Sequence, residues 1–252
     1  MSKKNSMSGS SGGYINRKYF VCLDTNVVIS MAGLHTKNQH EIETLRLNGK
    51  LDSIKAFKQA VDKRQITAVI TPYVLQELCD GALLWGYDTL NYLQKSNIKI
   101  LDIPENKLRA YFMEIEQIAT MYSTKLNRYT ISDIAHAQGH KPSEYPSRIF
   151  SMHKDKKTGQ TVPRNDARIM AEASKLGLML VTNNTIDFIY NHRPELIGRL
   201  NRKLNLPSRA IPLTTPDVLK LYKASQPFPR LKDTIGQIIS AKDANLDPAT
   251  EK

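Results

Sequence analysis

Apolar residues fall along this chain in two rhythms: short unbroken runs, and stripes at helical spacing. Unbroken runs open YFVCLDTNVVI (19–29) and recur in TAVIT (67–71), IKILDI (98–103) and LMLVTN (178–183). Runs of this kind, bounded by polar or turn residues, predict short buried strands. The first turns polar at Asp24-Thr25-Asn26, the second meets Pro72, and the last breaks at Thr182 and Asn183. RAIPLTTPDVLKLY (209–222) predicts one more short strand, then a helix starting near Thr215-Pro216.

Stripes spaced by three and four residues predict helices between those strands. Leu51 to Gln65 puts Ile54, Phe57, Ala60 and Val61 on one face, and residues 73–84 read as a second helix. Residues 106–126 predict a long amphipathic helix striped by Leu108, Tyr111, Phe112, Ile115 and Ile118. SDIAHAQ (132–138) predicts a short helix capped by Ser132. DARIMAEASKLG (166–177) predicts a strong one, capped by Asn165 and ended by Gly177. The Pro-punctuated segment 141–163 predicts a loop, residues 1–17 a flexible lead-in, and residues 224–252 a loosely ordered tail. Strands alternating with helices imply an α/β fold with a mostly parallel central sheet flanked by helices. Ligands bind such sheets outside the carboxyl ends of the strands.

Composition changes this picture little; charge changes it more. The 252 residues are 40% hydrophobic, enough for a sizeable core. No apolar run approaches the ~20 residues that span a bilayer, and the N-terminus lacks the apolar stretch of a secretory signal, so no membrane partner is expected. Two cysteines, Cys22 and Cys79, are too few for a disulfide scaffold and favour a cytoplasmic setting. The six histidines show no zinc-ligand spacing. The net charge is +12, and residues 1–18, 141–164 and 189–210 hold +4 each, the whole excess. Such a balance suggests a polyanion partner, although charge runs usually face water.

Four carboxylates are placed to meet at one edge of the expected sheet. Asp24 ends the first strand, and Glu77 lies about one turn beyond the second. Asp166 begins the helix feeding the strand that ends at Thr182, and Asp187 follows that strand. Taken singly, each has an ordinary explanation: Asp24 and Asp187 as caps, Asp166 as an acid at a helix N-terminus, Glu77 as an exposed helix residue. Crowded together, carboxylates repel unless a cation joins them. A hard divalent ion, Mg²⁺ or Mn²⁺, is the natural partner, and it activates water for phosphodiester hydrolysis. Asp24, Asp166 and Asp187 would be ligands, and Glu77 a ligand or the base that orients the water. Thr25, Asn26, Thr182 and Asn184 have the short hydrogen-bonding side chains that orient such ligands.

With these residues the chain resembles the PIN domain family of metal-dependent nucleases. The matching pieces are LDTNVVIS, TPYVLQEL, NDARIMAEASKLGLMLVTNNTIDF and IPLTTPDVLKL, over about residues 18–222. The family's four acids fall on Asp24, Glu77, Asp166 and Asp187, and its polar positions on Thr25, Asn26, Thr182 and Asn184. The resemblance implies a PIN-like three-layer sandwich over residues 18–223 and a ribonuclease with a four-carboxylate Mg²⁺ or Mn²⁺ site. The span from Glu77 to Asp166 is longer than in the small PIN toxins, so a helical or loop insertion is expected at about residues 85–162. Asp133, in SDIAHA, competes with Asp166 as the third acid.

The family includes toxins of toxin–antitoxin pairs, RNA-processing enzymes and scaffolds without their acids, so RNA, an antitoxin or other protein partner, and a homodimer are the partners it implies. Arg164, Arg168, Arg193, Arg199, Arg202 and Lys203 flank Asp166 and Asp187 and are the residues expected to hold an RNA backbone. A noncatalytic nucleic-acid-binding or protein-interaction module is the competing reading; it explains the charge but not the converging acids. A haloacid-dehalogenase-like phosphatase wants a D-x-D pair, and Asn26 fills the second position. A nucleotide-binding protein wants a Gly-rich loop, and none follows the first strand.

Overall fold

The run Phe20–Leu23 is buried at every position and forms β1, an interior strand of a six-stranded sheet. The computed structural model describes residues 19–81, 88–123, 152–154, 159–184, 212–228 and 236–244. Within them β2 (Thr67–Ile70), β3 (Lys99–Asp102), β4 (Met152–Lys154), β5 (Thr161–Pro163), β6 (Met179–Val181), β7 (Pro212–Leu213) and β8 (Gln237–Ser240) follow. The main sheet runs β7-β6-β1-β2-β3-β8, parallel throughout except for the last pair. Such strands read as continuous apolar runs because helices cover both faces of the sheet.

Eight helices lie among the described residues: α1 (Thr25–Thr36), α2 (Gln39–Leu47), α3 (Leu51–Asp62), α4 (Pro72–Asp80), α5 (Asp88–Lys95), α6 (Glu105–Met121), α7 (Asn165–Leu176) and α8 (Thr215–Lys223). α7 packs against α6 and α4, while α1 packs against α5, α2 and α3, and α8 against α3. The result is an α/β fold with a mostly parallel mixed sheet flanked by helices. No helix among the described residues is long and apolar enough to cross a membrane.

Several expectations change. Val27, Val28 and Ile29, which follow the polar turn at 24–26, belong to a helix not expected there, α1, because Asp24 caps it directly at the strand end. Asn165 is the first helical residue of α7 and Arg164 its cap position, with no side-chain cap bond. Gly177 does end that helix, at φ 69°, a conformation that costs glycine nothing. Within the segment expected to be a loop, Met152–Lys154 pairs antiparallel with Thr161–Pro163. Within the segment expected to be a loose tail, β8 completes the main sheet beside β3, in register from Lys99↔Ser240 to Asp102↔Gln237. Part of the expected insertion belongs to the core: β3 lies inside the sheet, and Tyr111, Ile115, Ile118 and Ala119 of α6 are buried. The helix expected at 132–138 and the segment 1–17 lie outside the described residues.

Candidate functional site

The strand order places a switch point beside β1. The chain steps from β1 to β2 to β3 in one direction, and β6 and β7 extend the sheet in the other. In open parallel sheets the crevice beyond the carboxyl ends of the strands at such a point is where ligands bind. The register Leu23↔Val181 brings the next residues, Asp24 and Thr182, side by side at that crevice. Asp24 N–H donates to the Val181 carbonyl at 2.9 Å, so the ladder continues one residue past the strands.

Asp24 turns the chain into α1. Its backbone is extended (φ −83°, ψ 153°), and Oδ1 accepts from Thr25 N–H at 2.8 Å as the helix cap. Oδ2 accepts from the Thr182 hydroxyl at 2.6 Å and from the Asn26 carboxamide. Asn26 Oδ1 takes the Asn183 N–H at 3.0 Å, and Thr182 Oγ1 takes the Asn184 N–H at 3.0 Å. So the residues expected to orient metal ligands, Asn26 and Thr182, form one network around Asp24, and Asn184 joins it through its backbone. Thr25 faces the other way and donates to Glu77 Oε2 at 2.6 Å, linking the end of β1 to α4. Two of the four expected acids are therefore joined through one residue: Thr25 donates its backbone N–H to Asp24 and its hydroxyl to Glu77. Asp24 is 2% exposed. Burial raises its carboxyl to a pKa of about 7, with Glu77 adding to the rise and the donors from Thr182, Thr25 and Asn26 opposing it.

Asp166 lies half-buried in the first turn of α7, the helix that packs against the helix of Glu77. Its neighbours Asn165 and Arg168 line the same cleft as Glu77. Asp187, Arg193, Arg199, Arg202, Lys203 and the competing Asp133 lie outside the described residues. Among the described residues, no three acids, histidines or cysteines form a cluster that could hold a metal ion. Arg164 is half-buried at the start of α7. Arg168, expected to grip RNA, has partners within the chain: Nε pairs with Glu116 at 2.5 Å, and the guanidinium lies 5.3 Å from the centre of the Tyr73 ring. Its helical phase turns it toward α6 rather than outward.

Two residues were not anticipated. Lys50, at the start of α3, donates from Nζ to the Asn183 carbonyl at 2.8 Å and so ties down the turn after β6. Glu172 of α7 is fully buried. It accepts from Tyr111 Oη at 2.9 Å and from Tyr73 N–H at 3.2 Å, while the Thr71 hydroxyl faces it without a well-formed hydrogen bond. Thr71 offers α4 no side-chain cap, so Glu172 supplies one from across the core. Burial raises Glu172 to a pKa of about 8 despite these donors. Its signal was present in the sequence: Ile169, Glu172, Ala173 and Leu176 share one helical stripe. Against this geometry no family model matches the chain, and neither does any curated protein or solved structure.

Proposed function

We propose that this chain is a metal-dependent endoribonuclease, hydrolysing RNA phosphodiester bonds with Asp24, Glu77, Asp166 and Asp187 as its carboxylates and Mg²⁺ or Mn²⁺ as its cofactor. The observation that carries the reading is the Asp24–Thr25–Glu77 link at the switch point of the sheet. A carboxyl buried beside a second carboxylate is held there by a proton or a cation. The donor set is oxygen only, which suits a hard divalent ion. When bound, such an ion lowers the pKa of a water and stabilises the leaving oxygen. The chain's own residues set the frame: Thr182 and Asn26 fix Asp24 Oδ2, Thr25 orients Glu77, and Lys50 holds the turn that carries Thr182 to Asn184. The basic segments 141–164 and 189–210 supply affinity for the phosphate backbone.

A second reading, a noncatalytic nucleic-acid-binding or protein-interaction module, is favoured by one observation. Both oxygens of Asp24 already have donors from the chain itself. End-labelled single-stranded RNA, incubated with Mg²⁺, Mn²⁺ or EDTA beside an Asp24→Asn variant, separates the two. Cleavage that needs the metal and is lost in the variant supports the nuclease. RNA that is bound and left intact by the wild type in every condition supports the binding module.

A further inference from the structure

One face of α4 lines open space beside the candidate metal ligands. Tyr73, Gln76, Glu77 and Asp80 share that face and border a single surface cleft of about 330 Å³, a size within the range of small-ligand sites. Phe112 from α6 and Asn165 from α7 close the other side. The aromatic wall is braced: Phe112 meets Tyr73 edge-on with centroids 5.1 Å apart and Tyr111 at 5.7 Å. Arg168 also borders the cleft, but Glu116 and Asn165 already hold its guanidinium. The remaining charges are the carboxylates of Glu77 and Asp80, which repel a phosphate. They accept hydrogen bonds from a neutral, flat, donor-rich ring, and the aromatic wall gives such a ring a surface to stack on.

We infer that this cleft receives an unstacked guanine of single-stranded RNA beside the bond to be cut, an inference that rests on the nuclease reading above. Guanine presents two adjacent donors, N1–H and the N2 amino group, next to the O6 acceptor. A carboxylate matches the two donors and a carboxamide N–H matches O6. Asp80 makes no ion pair among the described residues and takes the first role. Gln76, one turn earlier on the same exposed face, takes the second. Phe112 supplies the stacking wall, and Glu77 stays with Asp24.

The test is equilibrium binding of the full chain, in EDTA so that nothing is cut, to labelled uridine pentamers carrying G, A, C or U at the centre. The wild type binds the G pentamer about tenfold more tightly than the others, the discrimination one bidentate base contact supplies. Asp80→Asn removes that ratio, and Gln76→Ala, a surface change that leaves the fold intact, reduces it severalfold. Equal affinities for all four pentamers, no binding of any, or an unchanged ratio in Asp80→Asn would overturn the inference. The same pentamers are then incubated with Mn²⁺. Cleavage without base preference overturns the guanine site alone; G preference without cleavage overturns the nuclease reading alone.

Discussion

Asp24 and Glu172 are both carboxyls taken out of water, and both are raised by that burial, to about 7 and about 8. Their surroundings differ. Asp24 lies at the end of β1, where a second acid, Glu77, is linked to it through Thr25 and raises it further. Glu172 lies between α4, α6 and α7, and its partners are a phenol and a backbone amide. The same desolvation thus yields two devices. At the carboxyl ends of the strands it crowds two acids, a repulsion that the proposed cation would relieve. Inside the core it makes a helix anchor that is most stable when protonated.

Exchanging the two acids' chemistry tests the contrast, and the largest effect falls at the edge. Asp24→Asn lowers cleavage by about a thousandfold, roughly 4 kcal/mol of transition-state stabilisation. Its unfolding free energy stays within about 2 kcal/mol of wild type, since Asn keeps the cap oxygen and removes a buried ionisable group, against the acceptor lost to Asn26 and Thr182. Glu172→Ala does the reverse: urea denaturation shows a loss of about 3 kcal/mol, from a cavity and two stranded donors. A collapse of stability in Asp24→Asn would make the edge acid a structural cap and erase the contrast.

Comparable in size is the pH dependence of stability in EDTA. The folded state holds a proton on Glu172 up to about pH 8, whereas the unfolded chain releases it near 4.5. Between those values the folded form binds more protons, so stability falls as pH rises, by up to about 1.4 kcal/mol per pH unit. Glu172→Gln removes that share of the slope, and parallel denaturation series at pH 5 and pH 8 measure the difference. Equal slopes in the two proteins would show that Glu172 is ionised in the folded state. The smallest effect is that of Tyr111→Phe, a loss of about 1 kcal/mol.

The sheet was legible in the sequence where burial on both faces leaves no alternative to an apolar run, as at Phe20–Leu23 and Met179–Val181. β8 was not, because QIIS carries only two apolar residues and is half-exposed on the edge of the sheet. α2 was missed for a related reason, and α5 was covered only by the helical character expected of the insertion: their sequences, QHEIETLRL and DTLNYLQK, are mostly polar. At the site, the types of Asp24, Thr25, Asn26 and Thr182 were readable, but their meeting depends on the register of strands 158 residues apart in sequence. The ion pair of Arg168 was not legible, because a positive charge in sequence does not tell whether Glu116 stands opposite it in space.

The claim at the centre is that the Asp24–Glu77 edge holds a divalent cation. Calorimetric titration of Mn²⁺ into the wild type and into Asp24→Asn tests it without any assumption about substrate. Saturable binding that weakens by tenfold or more in the variant is the predicted result. Identical isotherms for the two proteins, or no binding to the wild type at millimolar Mn²⁺, would contradict it.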